Sequence, residues 1–123
     1  MAVKLQTHRV VPLGVLTIEN GEQLSNLLTA DTYAVYDAIM IASKDSALTG
    51  EVTLLVLNDV SADETDVGSY STLESPPGTA VKIGAGKAVV LTDLPAVAFR
   101  LGSSQNETAE RTFGVFGLRT PHA

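Results

Sequence analysis

Four residues in the second half of the chain have the composition of a phosphate-binding loop. Gly84-Ala85-Gly86-Lys87 supplies glycines and a lysine in close succession. A true phosphate loop needs GxxxxGK followed by Ser or Thr, whose hydroxyl binds magnesium, and here Ala88 follows the lysine. A turn between two strands accounts for these residues better, so the sequence predicts no nucleotide site.

A cluster of acidic residues could bind a cation. Asn58 to Asp66 contains four carboxylates, Asp59, Asp63, Glu64 and Asp66. Calcium takes six to eight oxygen ligands, but the spacing lacks the D-x-[DN]-x-[DN]-G order of a calcium loop. We therefore predict an exposed, solvated loop and no metal site.

The sequence contains few candidates for catalytic residues. The only histidines, His8 and His122, lie near opposite ends of the chain, and no GxSxG nucleophile elbow accompanies them. Among the carboxylates only Asp37 lies in an apolar stretch that could raise its pKa. Asn106-Glu107-Thr108 matches a glycosylation sequon, which we interpret as a chance match because no signal peptide is recognisable. The prediction is a protein that is not an enzyme and uses no cofactor.

Composition narrows the classes of partner. The chain has 123 residues, no cysteine and a formal net charge of −6, with eight Lys and Arg residues scattered along it. This charge disfavours nucleic acid and anionic membranes, and no apolar stretch approaches the ~20 residues that span a bilayer. We expect one soluble domain, with residues 1–9 as an N-terminal arm and residues 10–120 as the folded part.

Short apolar runs bounded by turn residues recur at intervals of about ten residues, which is typical of a β-sandwich or barrel. Val10 to Ile18 is followed by Asn20-Gly21, a strong hairpin signal. A helix capped by Asn20, with an apolar stripe of leucines at 24, 27 and 28, is the alternative. Further strands are predicted within Thr32 to Ala42, Val52 to Leu57, Tyr70 to Leu73, Val81 to Ile83, Ala88 to Leu91, Ala96 to Leu101 and Arg111 to Arg119.

The pairing of these runs follows from the turns between them. The segments on either side of Gly84–Lys87 are predicted to form a hairpin, and the last two runs are predicted to pair with each other. Val52 to Leu57 is apolar on both faces, as in a strand that is central or covered by a partner. The fold class is therefore all-β, an antiparallel sandwich of eight or nine strands.

The last strand suggests an interface. If Phe113 and Val115 face the core, Thr112, Gly114 and Phe116 face outward, because successive side chains of a strand alternate. An outward phenylalanine indicates a contact surface, although partial cover by the other sheet would explain it equally well.

Three segments together resemble small virion proteins of tailed bacteriophages that decorate capsids. They are Leu16 to Ser25 with its Ile-x-Asn-Gly turn, Phe99 to Gln105 with its Arg and small-residue loop, and Glu110 to Val115 with its Arg-Thr opening. The resemblance implies a jelly-roll-like sandwich, made in the host cytoplasm, that sits as a homotrimer on the capsid exterior and binds the major capsid protein. Val3, Leu5, Tyr33 and Phe116 are the candidate interface residues, and the arm from Ala2 to Thr7 is expected to lie on a neighbour.

Other functions remain open at this stage. A head–tail connector or baseplate component would have the same composition. A carbohydrate-binding sandwich is a second class, although six aromatic residues and no tryptophan give few stacking platforms. A small hydrolase ranks last for want of a nucleophile, a base and an orienting group.

Overall fold

The computed structural model describes residues 9–57, 61, 63, 65–92, 94 and 96–119. The strands are β1 Arg9–Ile18, β2 Leu24–Thr29, β3 Ala38–Ser43, β4 Val52–Leu57, β5 Ser71–Thr72, β6 Ala88–Thr92, β7 Ala98–Ser103 and β8 Arg111–Arg119. A helix α1, Ala30–Tyr33, and a 3-10 helix, Val67–Ser69, complete the regular structure of these residues. The protein is thus nearly all-β, as the sequence predicts.

All eight strands belong to one curled antiparallel sheet that forms a half-barrel, with the order β5-β4-β7-β2-β1-β8-β3-β6. The sheet bends sharply between β1 and β2, which share a single pair, Ile18 with Ser25. The bend divides the sheet into a first half, β1-β8-β3-β6, and a second half, β2-β7-β4-β5. Both halves pack on one core, whose fully buried members include Leu16, Ile18, Ile41, Leu54, Phe99, Leu101, Phe113 and Val115.

The side chain of Asn26 holds the bend together. Its Nδ2 donates to the Val15 carbonyl at 3.1 Å, and its Oδ1 accepts from the Thr17 amide at 2.7 Å. These two bonds take the place of the backbone ladder that β2 stops forming with β1. One side chain therefore joins the two halves where their backbones separate.

The predicted hairpin at Asn20-Gly21 is confirmed. Gly21 has φ +87°, and the Glu22 amide donates to the Glu19 carbonyl at 3.0 Å. A positive φ is easily adopted by glycine, which lacks a Cβ. The alternative of a helix after Asn20 is wrong, because Leu24–Thr29 is a strand.

The run Thr32 to Ala42 is only partly a strand. Its first part forms the end of α1 and a turn, and the strand β3 begins at Ala38. Tyr33 explains the departure, because its ring packs on Phe99 with centroids 5.1 Å apart and its hydroxyl donates to the Ala96 carbonyl at 2.6 Å. A helical turn brings the ring into the core, which an extended strand here would not do.

The predicted hairpin around Gly84–Lys87 is wrong, although the turn itself forms, with the Lys87 amide donating to the Gly84 carbonyl at 3.0 Å. The segment before it bonds to β4, since Ile83 donates to Val52. The strand after it, β6, pairs with β3 in the other half. The turn therefore crosses from one half of the sheet to the other.

The last two strands do not pair with each other, contrary to the prediction. β7 lies between β2 and β4, whereas β8 lies between β1 and β3. Both are central strands, with a paired neighbour on each side. Of the predicted arm, residues 1–8 lie outside the described part of the chain, and Arg9 is already the first residue of β1.

Within the described residues, no helix has the length and apolar character needed to cross a membrane.

Candidate functional site

The outward side of the first half is a broad apolar surface. Cross-strand register aligns its side chains in rows, because residues paired between neighbouring strands project to the same face. One row runs across all four strands as Pro12, Phe116, Met40 and Val90. The next row is Val15, Gly114, Ala42 and Ala88. We call these eight residues, with Val10 and Leu118, the outer face.

The opposite side of the same strands faces the core. Phe113 and Val115 are fully buried there, as the sequence predicts. On the outer face, Val10, Val15 and Val90 keep 52%, 47% and 55% of their surface exposed. Large apolar side chains with this exposure, gathered on one sheet face, mark a contact surface more often than isolated ones do.

Phe116 lies on the outer face and is half-buried. A Cβ on Gly114 would come within 2.9 Å of the Phe116 ring, so the ring lies flat along the backbone of its own strand. The Lys44 ammonium group lies 5.8 Å from the ring centroid, in a cation–π arrangement. The predicted outward direction of Phe116 is confirmed, and the Lys44 side chain covers part of its ring.

The ten residues of the outer face are themselves uncharged, and the Lys44 side chain reaches over Phe116 among them. None of the 14 acidic residues of the chain belongs to a described strand, so the carboxylates are confined to the segments between strands. The carboxylates that give the chain its net charge of −6 therefore lie outside the strands that form this surface. An uncharged apolar centre surrounded by polar segments is the composition of the buried centre of a protein–protein interface.

The other candidate interface residues lie elsewhere. Tyr33 is only 3% exposed, so in this chain its ring stabilises the core and offers no contact surface. Val3 and Leu5, with the rest of the arm from Ala2 to Thr7, lie outside the described residues. Of the four candidates, Phe116 alone is placed on the outer face.

A buried carboxylate organises one end of the sheet. Glu107 is 1% exposed, and its two oxygens accept from the amides of Thr49 and Gly50, both at 2.9 Å. The Ser103 hydroxyl donates to it at 2.6 Å, and Arg111 Nε forms an ion pair with it at 2.8 Å. We call these five residues the Glu107 cluster.

The Glu107 cluster also fixes the turn between β1 and β2. The Gly21 amide donates to the Glu107 carbonyl at 2.7 Å, and the Glu107 amide donates to Glu22 at 2.9 Å. Three separate loops are thereby tied to one residue. Burial alone would raise the pKa of Glu107, but the bonds from Ser103, Thr49, Arg111 and Gly50 together lower it to about 2.

This arrangement does not provide a reactive group. Ser103 is 8% exposed, its hydroxyl donates to the carboxylate, and among the described residues its hydroxyl oxygen accepts from the Gln105 amide. A carboxylate with a depressed pKa is a weak base at neutral pH. The Glu107 cluster therefore stabilises structure, and it gives Glu107 of the predicted chance sequon a structural role.

A wide depression borders the outer face at the bend. Glu19, Glu22, Glu110 and Arg100 line it together with Asn26 and Val15. Arg100 is already committed, since its Nε donates to the Ser25 carbonyl at 3.0 Å and its guanidinium lies 5.6 Å from the Tyr70 ring centroid. The depression thus forms a polar rim beside Val15.

The acidic loop is described only in part. Asp63 accepts from the Thr65 amide at 2.9 Å, and Asp66 accepts from the Gly68 amide at 3.1 Å at the start of the 3-10 helix. Both carboxylates therefore cap local turns. Asp59 and Glu64 lie outside the described residues, and the described part of the chain contains no group of three or more potential metal ligands.

Aromatic platforms for sugars are scarce on this surface. All six aromatic residues are described, and each is buried or half-buried. The two half-buried tyrosines, Tyr36 and Tyr70, lie against the guanidinium groups of Arg119 and Arg100. A sugar ring would have to displace these cations before it could stack on either tyrosine.

Sequence reasoning located Phe116 by alternation but missed both Glu107 and the rest of the outer face. The apolar character of β1 and β6 was visible in the sequence, yet their alignment with β8 and β3 depends on pairings between distant segments. The signal for Glu107 was weaker still, because an isolated glutamate in a loop of small polar residues has no distinctive spacing.

The chain gives no match to a family model, to a curated protein or to a solved structure.

Proposed function

We propose that this chain is a non-enzymatic structural protein that decorates and stabilises a bacteriophage capsid from outside by binding subunits of the major capsid protein. The observation that carries the proposal is the apolar, acid-free outer face of the first half of the sheet. A surface of this kind supports binding to another folded protein, and the shallow, largely committed polar groups beside it do not support catalysis.

The strand order supports the jelly-roll part of this proposal. The first half has the order 1-8-3-6 and the second half the order 2-7-4-5. This is the strand order of a jelly roll, in which eight strands form two facing four-stranded sheets, and jelly rolls are common in viral capsid and lectin domains. Here a single backbone pair and Asn26 join the two halves of the one curled sheet at one side.

Charge distribution agrees with an exterior position. A chain with a net charge of −6 is repelled by packaged nucleic acid, whereas a protein shell can be contacted through an uncharged patch. The resemblance of Leu16 to Ser25, Phe99 to Gln105 and Glu110 to Val115 to phage decoration proteins supplies the identity of the partner. It also supplies self-association, which the resemblance implies as a homotrimer.

The test is co-sedimentation of the chain with purified capsids that lack it. The variant Val15→Asp introduces a charge into the outer face on its β1 side, where Val15 is 47% exposed. We expect it to lower capsid binding at least tenfold, because a desolvated unpaired charge at an interface costs more than 1.4 kcal/mol. The matched control is Val67→Asp, since Val67 has nearly the same exposure, 49%, but lies in the 3-10 helix.

The two variants separate the outcomes. Binding that is lost in Val15→Asp and retained in Val67→Asp supports the proposal. Equal binding by both variants and the unmodified chain would show that the outer face does not contact the capsid. Absence of capsid binding by the unmodified chain would overturn the proposal as a whole.

A further inference from the structure

The edge strand β6 has an open hydrogen-bonding side. β6 pairs with β3 on one side and stands last in the strand order. The Ser43 amide donates to the Lys87 carbonyl at 2.9 Å, and in an antiparallel ladder bonded pairs recur at every second residue. Val89 and Leu91 therefore direct their backbone groups at β3.

The hydrogen bonds between β3 and β8 lead to the same assignment for β6. The Lys44 amide donates to the Thr112 carbonyl at 3.0 Å, so the even-numbered residues of β3 bond to β8 and the odd-numbered ones to β6. The amides and carbonyls of Ala88, Val90 and Thr92 must then point away from β3. None of them forms a backbone hydrogen bond with another described segment.

The sequence of β6 carries none of the features that protect an edge strand, and residues 73–75 border β6 only across a depression that Val90, Leu91 and Thr92 also line. Its sequence, Ala-Val-Val-Leu-Thr, contains no charge and no proline, and its register with β3 runs without a bulge from Ala88 to Thr92. Edge strands in natural proteins are usually blocked by charges, prolines or bulges, because an open edge pairs with another strand. Val90, at the centre of β6, is 55% exposed.

The opposite edge of the curled sheet differs. β5 has only two residues, and the remainder of the β4 edge is occupied by the segment after it, since Leu54 donates to Val81 and Ile83 donates to Val52. The turn around Ser75-Pro76-Pro77-Gly78 interrupts this edge further. A head-to-tail contact between β6 of one copy and β5 of the next would therefore form few bonds.

We propose that β6 pairs with β6 of a second copy of this chain, antiparallel and about a two-fold axis at Val90. In this register Val90 faces Val90 of the other copy, and Ala88 faces Thr92. The three outward-facing residues of each copy are then all in bonded pairs, which gives six hydrogen bonds between the copies. The strand is self-complementary, as an isologous contact requires.

The occupant we infer is a second copy, because the register that bonds all three outward-facing residues is self-complementary. Two chains of net charge −6 repel each other, but the described strands contain no acidic residue, so no carboxylate of β3, β6 or β8 opposes the contact. The outer faces of the two copies would become continuous across the pair. The inference does not depend on a capsid, and it predicts an even number of copies, in contrast to the homotrimer implied by the resemblance.

The size of the contact sets its strength. A five-residue strand is about 17 Å long, so edge pairing alone buries less than the ~1,000 Å² of a stable interface. We therefore expect a reversible dimer whose population rises with concentration. On a surface that holds many copies, multivalency would strengthen it.

Sedimentation equilibrium over roughly 10 μM to 1 mM, the range in which small interfaces associate, tests the pairing. The weight-average mass is expected to rise from 12.9 kDa towards twice that value. Val90→Pro removes an amide that points outward and leaves the bonds to β3 intact, and Val90→Lys adds a charge at the axis. Both variants are expected to remain at 12.9 kDa.

Val35→Lys is the matched control, because Val35 is 69% exposed and lies in the turn after α1. It should dimerise as the unmodified chain does. Hydrogen exchange adds a site-specific measurement, in which the amides of Ala88, Val90 and Thr92 gain protection on concentration and those of Val89 and Leu91 are protected throughout.

Several results would overturn the proposal. They are a monomer at every concentration, a trimer, or a dimer that persists in folded Val90→Pro and Val90→Lys. Because Val90 also belongs to the outer face, the two proposals are separated by Val15→Asp, which leaves β6 unchanged: a Val15→Asp chain that dimerises but does not bind capsids upholds both, and loss of dimer in Val90→Pro upholds the pairing whatever happens to capsid binding.

Discussion

The single side chain of Glu107 holds neighbouring loops together through polar contacts. Its carboxylate lies where three loops converge, and both of its oxygens are satisfied by amides, a hydroxyl and a guanidinium group. A buried charge is tolerated only when it is paired and fully hydrogen-bonded. Gly50 permits this approach, because a Cβ there would lie 2.8 Å from the Gln105 amide nitrogen.

Replacing Glu107 with Gln should destabilise the protein. The variant keeps the shape but leaves Arg111, whose side chain is 13% exposed, without its ion pair. We expect a loss of about 3 kcal/mol in the free energy of unfolding, measured by urea denaturation. Glu110→Gln is the control, since Glu110 is exposed in the same loop, and it should change stability by less than about 0.5 kcal/mol.

Because of the Glu107 carboxylate, we expect the free energy of unfolding to decrease in acid. The pKa of Glu107 falls from 4.5 to about 2 on folding, so the folded state favours the charged form. Its contribution is fully present above pH 4.5 and is lost as the pH falls towards 2. Denaturation of the unmodified chain and of Glu107→Gln at several pH values should show a difference that narrows over this window. A constant difference would contradict the assignment.

At the scale of elements, the sequence predicted strands better than it predicted their partners. Apolar runs bounded by turn residues identified β1, β4, β7 and β8, and Asn20-Gly21 identified the first turn, because these signals are local. The pairings of β6 and β8 were wrong because β6 joins β3 across the turn at Gly84–Lys87 and β8 joins β1 from the other end of the chain. Nothing within a short window of sequence specifies such distant partners.

The same limit applied to the candidate site. Phe116 could be assigned an outward direction from its own strand, whereas the rows that make the outer face required knowledge of four strands at once. Tyr33 was misplaced because a helical turn was not recognised before β3. Its burial and the nearby Tyr70 raise the pKa of its phenol to about 12, in keeping with a core position.

The role of Asn26 at the bend between the two halves can be tested by substitution. Asn26→Ala removes both bonds to β1, and water can replace them only in part because they close the gap between two strands. We expect a loss of about 1 kcal/mol in the free energy of unfolding, measured by urea denaturation. Asn106→Ala is the control, since the Asn106 side chain has no hydrogen bond to a described residue, and a cost equal to that of Asn26→Ala would argue against the role of the bend.

At the scale of the whole molecule, the acidic residues are separated from the described strands. Acidic residues occupy the segments between strands, and the described strands are neutral or basic. One sheet face is thereby left uncharged, with an open edge at β6 and a polar rim at the bend. The proposed capsid contact and the proposed pairing of two copies use adjoining parts of this one surface.

The position of β8 between β1 and β3 also has a consequence for how the chain acquires its structure. Of the described strands, β8 is the last to leave the ribosome and is the neighbour of the first, so the first half of the sheet cannot assemble until β8 has been made. Chains dominated by such distant pairings fold in milliseconds to seconds, slower than helical proteins of equal length. Until β8 arrives, β1 and β3 each have one edge without a neighbour, and nascent chains that lack β8 should aggregate more readily than chains that include it.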